Sequence, residues 1–153
     1  MRVLVTGILI LLLASPVFAF PFFNSGKSVK QVTDADGVIN IDAAAVKPSL
    51  AAYFRYAARG KKVDFFIVRD GQGAIRVALD ACEVCWREGK GYVLNNGAMQ
   101  CLNCGRQFAL NRIGVIVGGC NPHAVKFSLN GETVSITAAE LLSGSGYFPG
   151  NAQ

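Results

Sequence analysis

Residues 80–108 read DACEVCWREGKGYVLNNGAMQCLNCGRQF, with two Cys-x-x-Cys pairs, Cys82/Cys85 and Cys101/Cys104, separated by fifteen residues. Between the pairs, the short runs GYVL (91–94) and AMQC (98–101) flank Asn95-Asn96-Gly97. Asn-Gly is a strong hairpin signal, because the tight turn that suits twisted strands needs positive φ at its central residues. A hairpin at this point returns the second thiol pair to the side of the first. The stretch therefore predicts β-ribbons whose ends carry the sulfurs.

The same alternation continues on either side. AAYFRYAA (51–58) ends at Gly60, KKVDFFIVRD (61–70) runs into a Gly-Gln-Gly turn, and AIRVALDAC (74–82) follows it. AVKFSL (124–129) and ETVSIT (132–137) flank Asn130-Gly131, a further hairpin, and GVINID (37–42) alternates apolar and polar residues. One short helix is expected, with Thr137 as its cap, Glu140 as the capping-box partner and Gly144 as its stop. The fold class is mainly β, a small α+β domain of β-hairpins carrying two Cys-x-x-Cys knuckles, with a short C-terminal helix.

The chain begins MRVLVTGILILLLASPVFAF. A basic start, an apolar run from Val3 to Ala14 and small residues ahead of a cut after Ala19 describe a signal peptide over residues 1–19. Pro16 interrupts the run and argues against an uncleaved anchor. The expected divisions are a signal at 1–19, a flexible lead-in at 20–31, a metal- or cluster-binding domain at 32–148 and a tail at 149–153. The expected location is the periplasm, or a membrane tether if the signal stays, with no membrane span after cleavage. Arg2 stands alone, without the twin-arginine pair of folded export, so the metal would be loaded outside.

Removing the signal leaves 14 Lys and Arg against 10 Asp and Glu, a net charge of +4. The basic residues are scattered, which argues against nucleic acid as a partner and leaves room for docking to an acidic protein. The spacing Cys-x2-Cys-x15-Cys-x2-Cys lies in the range of a four-thiolate metal site. Cys82, Cys85, Cys101 and Cys104 are therefore the candidate metal ligands. Gly105, directly after Cys104, can complete a knuckle that turns backbone N–H groups toward sulfur.

Cys120 and His123 repeat the two-residue step at a period of 19 residues and are candidates for additional metal or redox groups. The competing reading is disulfides, usual in an oxidising compartment. The odd count of five cysteines and the small loops of x2 pairs weaken it. Covalent haem is excluded, since Trp86 and Gly105 stand where Cys-x-x-Cys-His needs histidine. Trp86, Tyr92 and Phe108 read as core or as an apolar wall around the site.

The pieces FFIVRDGQGAIRVALDACEVC (65–85), GYVLNNGAMQCLNCGRQF (91–108), IGVIVGGCNP (113–122) and TAAELLSGSGYF (137–148) resemble the FtrD-like, iron–sulfur-containing domain family. The resemblance covers about residues 32–148. It implies a metal or iron–sulfur cluster held by Cys82, Cys85, Cys101 and Cys104, with Cys120 a recurrent fifth thiol. It further implies an electron-accepting role beside periplasmic or inner-membrane partner proteins of a bacterial iron-transport system. His123 stands where the family pattern more often has an apolar residue, so the resemblance gives it no role.

Two function classes follow. In the first, the cofactor is an iron–sulfur cluster or thiolate-bound iron, and the protein transfers electrons with its potential set by N–H···S bonds and burial. In the second, Zn2+ staples the ribbons of a binding module, or the protein carries metal with no redox role. No constellation of catalytic residues is visible, and the chain does not read as an enzyme.

Overall fold

A computed structural model describes residues 27–151. The expected signal peptide, its cleavage point and most of the lead-in lie outside the described residues.

The central element is set by one run, Val63 to Val68. Phe65, Phe66, Ile67 and Val68 are all fully buried. Successive side chains on a strand point to opposite faces. A strand with no exposed face must therefore lie between two layers, as this one does.

The ten strands in chain order are β1 (Val29–Val32), β2 (Val38–Asp42), β3 (Ala51–Ala58), β4 (Lys61–Arg69), β5 (Ile75–Leu79), β6 (Tyr92–Asn95), β7 (Ala98–Cys101), β8 (Gln107–Ala109), β9 (Ser128–Asn130) and β10 (Thr133–Thr137). The helix α1 spans Ala138–Ser143. They form a central sheet ordered β1-β3-β4-β5, flanked by β2-β10-β9 and by the meander β6-β7-β8. All pairings are antiparallel except β1 with β3.

On one face of the central sheet, Val63, Phe65, Ile67, Val77 and Leu79 pack with Ile39, Val134, Ile136 and Leu141. On the other, Phe66, Val68 and Ala78 pack with Tyr92, Met99, Cys82 and Cys101. The second face is thus half core and half thiol site.

The hairpins follow the turn chemistry. Ala58 pairs with Lys61, and Asn95 pairs with Ala98, so Arg59-Gly60 and Asn96-Gly97 are two-residue loops with positive φ at both positions. The Asp70 carboxylate organises the β4–β5 loop by accepting from the N–H groups of Gln72 and Ala74. Burial pushes this carboxyl up, but those N–H groups and Arg76 outweigh it and hold it below its ordinary value. At β9–β10 the loop is Gly131-Glu132, one residue later than the expected Asn130-Gly131, with positive φ at Gly131 alone.

Two expected boundaries shift. Of the expected strand over 124–129 only Ser128 and Leu129 pair with β10, joined by Asn130 from the expected turn. The preceding residues instead cover the open edge of β5: Leu79 N–H donates to the His123 carbonyl, and Ala124 bridges Ala78. Residues 29–31 of the expected lead-in join Val32 to form β1, because their N–H and C=O groups find partners along the edge of β3.

At the other end, Pro149–Asn151 form a helical turn, and Asn151 bonds its side chain to the backbone of Lys62 and to the carbonyl of Ser145. The helix starts as expected, with Thr137 Oγ1 accepting from Glu140 N–H. The Glu140 carboxylate accepts from Lys126 N–H, outside the helix.

Phe66 lies between the rings of Tyr53 and Tyr92, at 6.1 and 6.2 Å. Truncation to alanine leaves a cavity between the central sheet and the meander. Phe66→Ala is expected to cost about 3–5 kcal/mol in urea unfolding, whereas an exposed site such as Leu129→Ala should change stability by about 0.5 kcal/mol or less.

Candidate metal centre

The two Cys-x-x-Cys pairs approach the site from different elements. Cys82 and Cys85 lie just past the end of β5, and the chain then makes a helical turn over Trp86–Glu88 that stops at Gly89. Cys85 N–H donates to Cys82 Sγ at 3.2 Å. Cys101 ends β7. Its N–H donates to the Arg106 carbonyl, and its own carbonyl accepts from Gly105 N–H.

That reversal needs a left-handed residue, and Gly105 supplies it with φ +74°. The knuckle aims the N–H groups of Asn103 and Cys104 at Cys101 sulfur, and that of Arg106 at Cys104 sulfur. Such bonds stabilise thiolate charge and fix the direction of the ligands.

The third approach is the loop after Ile113. Tyr92 is fully buried, and its hydroxyl donates to the Cys120 carbonyl at 2.6 Å, tying this loop to the meander. Cys120 Sγ then lies 3.9 Å from Cys85 Sγ. All five thiols converge in two overlapping groups. Cys82, Cys85 and Cys120 lie within 4.8 Å of one another, and so do Cys85, Cys101 and Cys104. Cys85 belongs to both.

The four cysteines singled out by spacing thus divide between the two groups: Cys82 falls with Cys85 and Cys120, and Cys101 and Cys104 fall with Cys85. His123 is placed otherwise. Its Nδ1 is 4.0 Å from Glu83 Oε1 and its ring packs on Tyr147, while neither thiol group includes it. All five cysteines are free thiols. Trp86 packs against the core, and Phe108 meets Tyr92 edge-on.

Three of the five thiols are held above their ordinary value and one below it. Burial pushes the Cys101 thiol up to about 11. Burial and the neighbouring Cys104 raise Cys120. At Cys85 the Asn103 side chain pulls down, but burial and Cys120 outweigh it and the thiol ends above its ordinary value. Cys104, the exposed member, is lowered, first by Arg106 N–H. Crowded thiols resist ionisation because each thiolate repels the next. A bound cation reverses that balance and deprotonates its ligands.

The donor set fits such an ion. Metal–sulfur bonds of about 2.3 Å in a tetrahedron set sulfurs about 3.8 Å apart, close to the Cys85–Cys120 separation. A cavity of about 40 Å³ lies beside Cys82, Cys85 and Cys101.

A buried support that the spacing does not reveal lies two residues before Cys82. The Asp80 carboxylate accepts from Tyr92 N–H at 2.6 Å and from Lys27 Nζ at 2.8 Å. Burial lifts this carboxyl to about 6 against the pull of Lys27 and the Tyr92 N–H. The chain approaches it so closely at Gly91 that a Cβ there would lie 2.5 Å from Asp80 Oδ1.

The pattern of one known family matches residues 46–148, described as "Membrane iron-sulfur containing protein FtrD-like". The chain belongs to the FtrD-like family. No curated protein and no solved structure matches the chain. Membrane association is part of the description of the FtrD-like family, and among the described residues no helix is long and apolar enough to cross a membrane.

Two substitutions test the supports. Gly91→Ala places a methyl against Asp80 in a left-handed backbone position and is expected to cost at least about 1–3 kcal/mol, read as a fall in the urea midpoint. Tyr92→Phe removes the anchor of the Cys120 loop. It should raise amide exchange in residues 114–121 while leaving exchange in β3 and β4 unchanged.

Proposed function

We propose that this FtrD-like protein is exported and binds iron through its cysteine thiolates, as a single ion or as an iron–sulfur cluster, and that it transfers electrons in bacterial iron uptake. The observation that carries the reading is the shared corner at Cys85, which joins two groups of sulfur donors around one small volume. The family description supports iron, and the N–H···S bonds at both knuckles support redox chemistry, since such bonds set the potential of thiolate-bound iron. The supporting frame is packed, with Tyr92, Met99 and Cys101 of the meander buried against the central sheet. A packed frame holds the ligands in place as the charge of the centre changes by one. Iron would supply the one-electron chemistry when bound; the chain supplies ligands, donors to sulfur and an apolar wall.

Export and iron uptake rest on the N-terminal sequence and on the family resemblance. The partners in this reading are periplasmic or inner-membrane proteins of an iron-transport system, and the protein has no catalysis of its own.

A second reading has one observation in its favour. The 3.9 Å sulfur separation suits a single tetrahedral ion, and Zn2+ would fit it as well as iron while stapling the knuckles without redox chemistry. Colour separates the two. Protein purified aerobically with bound iron should absorb in the visible through thiolate-to-iron charge transfer and bleach with dithionite, and elemental analysis should find iron. A colourless protein holding stoichiometric zinc would overturn the electron-transfer reading.

Ligand substitutions test the hub. Cys85→Ser removes the corner common to both groups and should lower metal content by more than about tenfold. It should lower the melting temperature with it, because site formation and folding are coupled. Metal stoichiometry and melting that match the unsubstituted protein would count against the site.

A further inference from the structure

We infer that Cys85 and Cys120 form a dithiol–disulfide couple that locks the centre shut when no metal is bound. Their sulfurs are 3.9 Å apart, a direct approach between thiols 35 positions apart in sequence. A disulfide needs about 2.05 Å between sulfurs, so one side must move by roughly 2 Å. The Cys120 carbonyl is held by Tyr92, so the movement falls to the Cys120 side chain and to the glycines before it. These are Gly118 and Gly119, and no atom lies within 4 Å of where a Cβ on Gly119 would sit. Val115 and Val117 of the same loop are largely exposed. Cys82, by contrast, is almost fully buried and already accepts the Cys85 N–H. Cys85 and Cys120 are both partly exposed and within reach of a reagent in solution.

The oxidant is a disulfide, either of a small thiol or of an exchange protein. One of the two thiolates attacks a sulfur of that disulfide and forms a mixed disulfide, releasing the first reagent thiol. The second protein thiolate attacks the protein sulfur of the mixed bond, closes Cys85–Cys120 and releases the second reagent thiol. Two protein thiols lose two electrons, the reagent disulfide gains them, and both protons leave on the released thiols.

Closure takes the shared corner out of both thiol groups at once. Cys82 is then left without Cys85 and Cys120, and Cys101 and Cys104 remain as a pair. A bridge between the close neighbours within either Cys-x-x-Cys pair would leave Cys120 free. The closure stands on the thiol geometry; only its consequence for metal uptake rests on the function proposed above.

The test starts from full-length mature protein stripped of metal and treated with oxidised glutathione, then alkylated and digested for mass spectrometry. The expected product is a cross-link between the peptides holding Cys85 and Cys120, with Cys101 and Cys104 alkylated. Links within Cys82/Cys85 or Cys101/Cys104, or five alkylated thiols, would overturn the inference. In a second arm, oxidised protein is offered Fe2+ or Zn2+ without oxygen. Uptake should fall by at least tenfold and return after reduction with a phosphine. Cys120→Ser protein treated with oxidised glutathione in the same way should show no such cross-link, with Cys85 recovered alkylated or as its mixed disulfide with glutathione. A Cys85–Cys120 link in protein that binds neither metal would uphold the couple and sink the metal-site reading, whereas metal binding without that link would do the reverse.

Discussion

Repulsion among ionised sulfurs is the constraint on which the rest of this structure depends. Five thiols in one small volume cannot all carry charge unless N–H groups, and finally a cation, offset it. The frame supplies what can be supplied by backbone. One knuckle turns two N–H groups onto Cys101, the other turns Cys85 N–H onto Cys82, and the Tyr92 hydroxyl holds the third loop by its carbonyl. Burial, and after it the neighbouring thiols, leaves Cys85, Cys101 and Cys120 raised.

The sheet architecture makes that crowding tolerable. A strand buried on both faces lets one side of the central sheet hold an ordinary apolar core, with Ile39, Ile136 and Leu141, while the other side carries the site. Stability and chemistry are separated by the thickness of a single sheet. The meander is small, but its Tyr92 and Met99 are fully buried against Phe66 and Val68, and the knuckle at Cys101 is continuous with its middle strand. Packing therefore holds the thiols in place by itself.

Much of this was legible in the sequence, for identifiable reasons. Period-two alternation and Asn-Gly turns are local, so the hairpin over 91–101 and the cap at Thr137 could be read directly. The four paired cysteines announced themselves by spacing. Contacts between distant segments could not be read so easily. Nothing local to Lys27 indicates that it lies on Asp80, 53 positions away. The shared position of Cys85 and the closeness of Cys120 depend on how a glycine-rich loop folds back over the meander. The 19-residue recurrence pointed at Cys120 and His123 alike. The family resemblance already favoured Cys120 over His123, and the fold adds the physical reason: residue 123 has its backbone engaged along β5 and its ring turned to Tyr147. Short edge pairings such as β1 were hidden too, since Val-Lys-Gln-Val carries no turn or cap to mark it.

The family pattern begins at residue 46 and ends at 148, but the folded unit is larger than that. β1 and β2 precede the matched region, and β2 supplies Ile39 and Ile41 to the core as the partner of β10. Asn151 follows it and fastens the chain end to Lys62. A gene trimmed to the homology borders would strip two strands, bare the flank of β10 and present sticky hydrogen-bonding edges of the sort that seed aggregates. Expression should therefore start before Val29, and any purification tag belongs beyond Asn151 on a spacer.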